Sequence, residues 1–594
     1  MKHLKYINKY FYRYKHLLLL GLVFVIISNY FRVLQPQMIR EALDLVVDQI
    51  YIYRLMKGSS LELSFLKIFS TIILYFGCFV LILALLMGVF MFFMRQTIIV
   101  MSRYIEYDLR KDIYAHYQEL TPAFYKRHNT GDMMARISED VSKVRMYVGP
   151  AVLYGINLVT LFTLVIYSMF KVNVMLSVYS LLPLPFLSIS IYFVSALINK
   201  RSLSIQKQLS VLTSHAQEAF SGIRVIKSYA QESSILHSFE SEAEIFKKKS
   251  MHLVKIDALF YPSMLLLIGI SIIVTTYIGG LKVISGEISP GNIAEFVIYV
   301  NMLVWPVTSI GWIASLVQQA SASQERINEF MFTKPEIQNH VSDNSPIEGN
   351  IHFKNLTFDY PDSNIRALDN FDLKIVKGEK IAIIGRTGSG KTTVAELLIR
   401  MYDPTQGAIL IDGKDVKEFD LNNLRRRVGY VPQDSFLFSD TVSNNIGFGI
   451  DNITKDAVES AAKQASIHDE IMLLPNGYET IVGERGVTLS GGQKQRISIA
   501  RALIKKPDIL LLDDSLSAVD TGTEQNIINS LNNLFLEKTL IVITHRIYSK
   551  LKFDKIVVLD RGKILEAGTH DELLAKQGYY YDIFEQQKIE DILV

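Results

Sequence analysis

The chain has 594 residues, which leaves room for more than one domain. Hydrophobic residues make up 49% of it and charged residues 20%, too apolar for an ordinary soluble protein and too charged for one lying wholly in lipid. A net charge of +3, from 62 basic and 59 acidic side chains, gives no field for holding a nucleic acid, and a single cysteine, Cys78, excludes an internal disulfide and a cysteine-built zinc site.

The long apolar stretches all precede residue 320 or so. Six of them, at 17–34, 68–94, 148–170, 174–197, 258–279 and 293–317, are long enough for the roughly 20 residues that a membrane-spanning helix needs. Lys2, Lys5, Lys9, Arg13 and Lys15 precede the first, but no small-residue cleavage site follows, so it reads as a span and not a secretory signal. Cys78 lies inside the second and is expected to be a packed, inert thiol. Only Lys171–Asn173 separates the third from the fourth, which predicts a tight hairpin. The basic residues fix an orientation. Five lie in the N-terminal segment and nine in each of Arg95–Gly149 and Ile198–Lys255. Only three lie in Pro36–Leu63, one in the hairpin and one in Gly280–Asn292. Both termini and both long connections are therefore expected in the cytoplasm.

Within those connections, Thr121–Arg145 and Ser202–Lys249 carry apolar residues at helical spacing among charges. The second to fifth helices are expected to run on past the membrane and turn at tips near Leu120–Tyr125 and Gln231–Phe239. Amphipathic segments lying on the lipid surface are the alternative. The spans hold few polar residues: Asn29, Asn157, Asn301, Glu295 and, near an edge, Asp257. Glu295 is expected either to meet a cationic substrate or to snorkel to the outer interface. Phe296, Tyr299, Trp305 and Trp312 suit an apolar cavity or plain helix packing.

From residue 349 the pattern changes to short β-rich runs, Gly and Asp turns, and helices. A buried-strand signal at Ile381–Ile384 leads directly into Gly385-Arg386-Thr387-Gly388-Ser389-Gly390-Lys391-Thr392 and a helical run from Thr393 to Arg400. This is a phosphate-binding loop in its required setting. The glycines let backbone N–H groups curl round phosphates, Lys391 places a cation on them, and Thr392 offers a hydroxyl to Mg²⁺. Further on, the apolar strand Ile509–Leu512 ends in Asp513, placed to hold the metal, and Asp514, placed to orient an attacking water. Leu489-Ser490-Gly491-Gly492-Gln493 then opens the helical run Lys494–Leu503, presenting N–H groups at a helix N-terminus.

With the phosphate loop and Asp513, that last motif makes the whole chain resemble the ATP-binding cassette (ABC) superfamily, in its exporter form with one membrane domain per cassette. The resemblance implies an all-α six-helix transmembrane domain with long cytoplasmic helix extensions over 1–325, a linker over 326–348, and an α/β cassette over 349–594. It implies ATP and Mg²⁺ as cofactors. Residues Gly385 to Thr393 would hold the nucleotide phosphates, Tyr360 would stack on adenine, and Gln433 would reach Mg²⁺ together with Thr392 and Asp513. His545 would hold the terminal phosphate, and Ser490, Gly491, Gly492 and Gln493 would complete the ATP site of a second chain. Gly483-Glu484-Arg485-Gly486 resembles the exporter loop that touches the membrane levers. Ser517-Ala518-Val519-Asp520 resembles the loop crossing the dimer seam. Phe124 to Asp140, including Thr130-Gly131-Asp132 and Arg136, resembles the first intracellular loop.

The family pattern has Glu where this chain has Asp514, one methylene shorter, and a shift of about 1 Å in a catalytic group can cost about 10²-fold. Either the backbone adjusts and Asp514 still serves, or the chain resembles the degenerate-site subunit of bacterial heterodimeric multidrug exporters. The expected working unit is a dimer in the cell membrane, a heterodimer in preference to a homodimer. It would export hydrophobic or amphipathic small molecules through the lipid bilayer, with no nucleic-acid partner. A homodimeric lipid flippase and an ATP-gated regulator without transport are the other classes; a soluble cassette ATPase is excluded by the six spans.

Overall fold

The computed structural model describes residues 3–593 apart from 340, 484, 485, 487 and 548–551. The chain divides into two compact units, one of residues 1–118 and 131–333, the other of residues 119–130 and 334–594.

The first unit is helical. After the short helix Asn8–Arg13 come α1 (Lys15–Met56), α2 (Glu62–Glu119), α3 (Thr130–Val172), α4 (Val174–Leu181), α5 (Pro183–Ser221), α6 (Glu232–Ile284) and α7 (Pro290–Met331). At 1.5 Å per residue the 58-residue α2 is about 87 Å long, far beyond the roughly 30 Å that lipid requires. The apolar runs thus occupy one end each of much longer helices. Among the described residues, five helices (α1, α2, α3, α6 and α7) are long and apolar enough to cross a membrane. The fourth expected span, 174–197, is shared between α4 and α5, which meet at Leu182 because Pro183 has no N–H to continue the ladder. The expected tight hairpin is present: Asn173 ends α3 and caps α4, its Oδ1 accepting from Leu176 N at 2.9 Å.

Three other expectations change. The tip before α6 is the short helix Ile223–Ser228, not Gln231–Phe239. Gly222 ends α5, and Ala230, at φ +51°, turns the chain into α6. Cys78 is exposed, in line with Leu74, Tyr75, Phe79, Leu81 and Ile82 around it; an apolar run on a helix that faces outward is not a packed one. Glu295 neither meets solvent nor snorkels. It is fully buried, with Oε2 3.3 Å from the Arg40 guanidinium and accepting from Asn292 Nδ2 at 3.2 Å.

That pair belongs to a polar seam between α1 and α7. Tyr299 donates to Val33 O at 3.2 Å and accepts from Gln37. Asp44 accepts from Ser289 Oγ at 2.6 Å and from Gly291 N at 2.7 Å. Phe296 and Tyr299 are buried in the core beside Val33, Leu161, Val165 and Leu303, whereas Trp305 and Trp312 are half-exposed on either side of Tyr154. Asn29 is bonded to Asn157 Oδ1 and Thr160 Oγ1, so its amide is satisfied inside the bundle. At the other end of α7, Arg136 pairs with Asp132 at 2.9 Å and donates to Arg326 O. Arg326 in turn reaches Asp140 at 3.1 Å.

The second unit is built on two sheets. One is antiparallel, ordered β2-β1-β4-β5, from β1 (Ile351–Asp359), β2 (Arg366–Ile375), β4 (Gln406–Ile411) and β5 (Lys414–Asp415). The other is ordered β10-β9-β3-β8-β7-β6, from β3 (Lys380–Gly385), β6 (Val428–Val431), β7 (Ile509–Asp513), β8 (Thr539–Thr544), β9 (Lys555–Asp560) and β10 (Lys563–Gly568). It is parallel except where β10 returns along β9. Strands β7 and β8 are buried throughout, as a parallel sheet covered on both faces requires. Three helices matter for the site: α8 (Lys391–Leu398) behind β3, α9 (Gly491–Leu503) and α10 (Thr521–Leu534). Ala123, from the segment between α2 and α3, is buried in the core between the sheets.

Removing one member of a buried ion pair strands the other, at a cost of about 3–5 kcal/mol. Arg40→Ala is therefore expected to lower the detergent-solubilised protein's thermal stability sharply. The double substitution Arg40→Met with Glu295→Leu, which strands no charge, should recover most of the loss.

Candidate nucleotide-binding site

The site assembles where the parallel sheet ends. Ile384 is paired with Thr544, Asp513 with Ile543 and Gly385 with Leu559, so the carboxyl ends of β3, β7 and β8 lie side by side. That edge is where open α/β sheets bind ligands. From β3 the chain passes through Gly385–Gly390 into α8. Gly390 is at φ +103°, a left-handed conformation that favours glycine, and a side chain at Gly385 would lie 2.2 Å from Leu559 O.

Lys391 Nζ donates to Gly385 O at 2.7 Å and to Arg386 O at 2.8 Å, closing over the loop. Burial lowers its pKa, and the carboxylates of Asp513 and Asp514 work against that. Ser389 Oγ is buried in the loop without a hydrogen-bond partner. Asp513 is also buried, with Oδ2 unpartnered, and burial lifts its carboxyl to about 6 although Thr392 and Lys391 pull it down. A desolvated carboxylate oxygen beside a threonine hydroxyl suits a hard divalent cation. Among the described residues no group of three or more His, Cys, Asp or Glu could hold a metal. The donor set thus fits Mg²⁺, which takes one or two protein ligands and completes its shell with water and phosphate oxygens.

Asp514 follows in the left-handed region, φ +46°, its N–H donating to Ile543 O at 2.8 Å. This turn brings its side chain to two partners that sequence separates widely. Oδ1 lies 2.9 Å from His545 Nδ1, and Oδ2 accepts from Gln433 Nε2 at 3.4 Å. Tyr360, at the end of β1, packs edge-on against Phe358 and Tyr402, and its hydroxyl meets Thr393 Oγ1 at 3.0 Å and Glu396 at 3.1 Å. Burial first, and then Glu396, push the Tyr360 phenol up to about 12. Tyr360, Lys391, Thr392, Asp513, Asp514, Gln433 and His545 thus share one neighbourhood.

Ser490–Gln493 is a separate construction. Ser490 caps α9, its Oγ accepting from Gln493 N while Gln493 Oε1 accepts from Ser490 N at 2.9 Å. Glu470 braces the turn from below, bonded to Gln493 Nε2 at 2.9 Å and Arg496 at 2.6 Å. Gln495 joins it to the Ser517–Asp520 loop, accepting from Ala518 N at 3.0 Å. Among the described residues, no hydrogen bond or ion pair connects Ser490–Gln493 to Gly385–Thr393. Sequence reading missed Glu396, Glu470 and Gln495, which lie outside any motif of fixed spacing. The expected loop Gly483–Gly486 falls partly outside the described residues, at Glu484 and Arg485.

Two family models match the chain: ABC transporter transmembrane region over residues 18–307, and ABC transporter over residues 368–517. The chain is 36% identical to the probable multidrug resistance ABC transporter ATP-binding/permease protein YheI of Bacillus subtilis, covering 87% of this chain and 89% of that one. It is also 36% identical to the ATP-dependent lipid A-core flippase of Syntrophus aciditrophicus, over 82% of this chain and 80% of that one. Among solved structures, a bacterial Atm1-family ABC exporter with ATP bound superposes with a TM-score of 0.76 at 26% identity, covering 96% of this chain and 98% of that chain.

A Cβ at Gly385 would press on the Leu559 backbone and the Ser389 hydroxyl, so Gly385→Ala is expected to cost about 1–3 kcal/mol of stability and to abolish saturable ATP binding. At Gly388 nothing lies within 4 Å, and Gly388→Ala should keep the fold for the roughly 1 kcal/mol that a left-handed alanine costs. Thermal unfolding and equilibrium binding of ATP check both.

Proposed function

The chain belongs to the ABC transporter family, and from that premise we propose that it is one half of a heterodimeric exporter and contributes the slower of its two ATP sites. It is an ATPase that couples hydrolysis to export. The finer reading rests on Asp514, whose carboxylate is a methylene shorter than the family's glutamate and is already engaged by His545 and Gln433.

In this reading the transmembrane domain occupies 1–325, a linker 326–348 and the cassette 349–594. Tyr360 stacks on the base. The backbone N–H groups of Arg386, Thr387, Gly388, Ser389 and Gly390, with Lys391 and Thr393, hold the phosphates. Thr392, Asp513 and Gln433 hold Mg²⁺, which when bound draws charge off the phosphate oxygens. Asp514 orients the attacking water, and His545 holds the terminal phosphate. Because Asp514 is withdrawn, this site binds ATP well and turns it over slowly.

The intact Ser490-Gly491-Gly492-Gln493 cap, bonded to none of the phosphate loop of its own chain, supports its use by a partner chain. There it completes the faster site, with the positive end of the α9 dipole facing phosphate. The basic-residue pattern supports a multi-pass protein of a bacterial cell membrane with both termini and the cassette in the cytoplasm. The exported compounds are hydrophobic or amphipathic, in keeping with the multidrug names of the relatives. Similarity to the Syntrophus flippase favours a second reading, a homodimer that moves lipid.

Purified alone, the chain is expected to hydrolyse Mg-ATP well below about 1 s⁻¹, the low end for enzymes, and Asp514→Glu should raise the rate about 10- to 100-fold. Turnover of about 1–10 s⁻¹ that Asp514→Asn abolishes would favour the homodimer and overturn the heterodimer. In the complex with its partner, Ser490→Arg should remove most turnover and Asp514→Ala little; equal losses contradict the asymmetry.

A further inference from the structure

The short helix Pro122–Arg127 comes from the connection between α2 and α3 yet forms part of the nucleotide-binding unit. Two of its basic residues are used differently. Arg127 pairs with Glu336 at 2.8 Å and with Asp362, and Thr121 also donates to Glu336. These contacts fasten the segment to the unit's surface.

Lys126 points to the base end of the site. Its Nζ lies 5.2 Å from the centre of the Tyr360 ring and 5.3 Å from that of Tyr402. It also lies 3.6 Å from Glu396 Oε1, while the other oxygen of Glu396 accepts from the Tyr360 hydroxyl at 3.1 Å. Glu396 sits on α8, directly after the phosphate loop, and Tyr360 also reaches Thr393 on the same helix. A continuous chain of charge and hydrogen bonds therefore runs Lys126–Glu396–Tyr360–Thr393. Burial pulls the Lys126 pKa down, but the nearby Tyr402 hydroxyl and Glu396 carboxylate outweigh it and raise it above the ordinary lysine value. A surface tether would need none of this; Arg127 supplies one already.

We propose that Lys126 is a positioning residue for the nucleotide base, acting through Glu396 to set the ring of Tyr360. Occupancy of the base pocket is thereby felt by helix Pro122–Arg127. The inference rests on the reading of Tyr360 as the residue that stacks on the base. Truncating Lys126 frees Glu396 to pull on the Tyr360 hydroxyl alone, so the ring loses the orientation that suits stacking. Of the phosphate contacts only the Thr393 hydroxyl touches this chain of bonds, and the backbone of Gly385–Gly390 and Lys391, which carry most of the phosphate binding, lie outside it.

The discriminating probe is a ligand without a base. Equilibrium binding of ATP and of inorganic tripolyphosphate is measured on the full chain and its variants. Lys126→Ala is expected to weaken ATP about 5- to 10-fold, the size of a lost cation–aromatic contact, and to leave tripolyphosphate unchanged. Lys126→Arg should restore most of the loss, and Glu396→Gln should reproduce it. Glu336→Ala, which loosens the same helix elsewhere, should leave the ratio of the two affinities as it was. Equal weakening of both ligands, no weakening, or an equal ratio shift in Glu336→Ala overturns the proposal. Tyr360→Ala separates the two readings. If it leaves the preference for ATP intact, the base-stacking assignment fails and the proposal falls with it. If it removes that preference while Lys126→Ala does not, only the role of Lys126 is refuted.

Discussion

The phosphate loop, Asp513, Asp514 and His545 hang on one ladder, the parallel pairing of β8 with β3 on one side and β7 on the other, whereas Tyr360 and Gln433 follow β1 and β6. Because side chains alternate along a strand, a slip of one residue in that register would turn Asp513 and its neighbours to the opposite face. The strand interiors, Ile509–Leu512 and Leu540–Ile543, are wholly apolar and buried, with polar residues only at the ends, Thr539, Asp513 and Thr544. The loop Gly385–Gly390, Asp513 and His545 then need no further alignment, since each stands at or just past the carboxyl end of its own strand.

Much of this was legible in the chain because it is local. A strand, a glycine loop and a helix in immediate succession leave little freedom, so Gly385–Thr393 could be placed from spacing alone, and Asp513 from the apolar strand it ends. What escaped was everything decided by distant partners. Arg40 and Glu295 are 255 positions apart, and no periodicity links them, so a buried carboxylate looked like one in search of a substrate or of the interface. Lys126 is further still from Glu396. Cys78 failed differently: hydropathy says that a residue avoids water but not which face of its helix it lies on, and Cys78 lies on an exposed face. The misplaced tip before α6 turned on Gly222 and a single left-handed alanine, Ala230, too small a signal to stand out among charged helical residues.

Both units pair most of their buried polar groups and leave some unpartnered, Glu295 Oε1 among those of the helical unit. In the helical unit the few hydrogen-bonding side chains are paired across helices, Asn29 with Asn157 and Thr160, Tyr299 with Gln37 and Val33. In the other unit two of the unpartnered buried atoms, Ser389 Oγ and Asp513 Oδ2, stand at the phosphate loop and the end of β7. An unsatisfied buried group is costly, and the two at this sheet edge are ones that a bound ligand could satisfy.

The pairing of Arg40 with Glu295 reaches beyond stability. Glu295 is the sole ionisable side chain in 293–317 apart from Tyr299, and its partner cancels it within a few ångströms. A lone charge in the membrane field is worth about 2.3 kcal/mol per 100 mV, whereas a neutral pair feels almost no net force. The Arg40–Glu295 pair therefore offers the membrane potential little to act on, and the charge it can pull on at this seam lies with Glu41, which also reaches Arg40, and with Asp44.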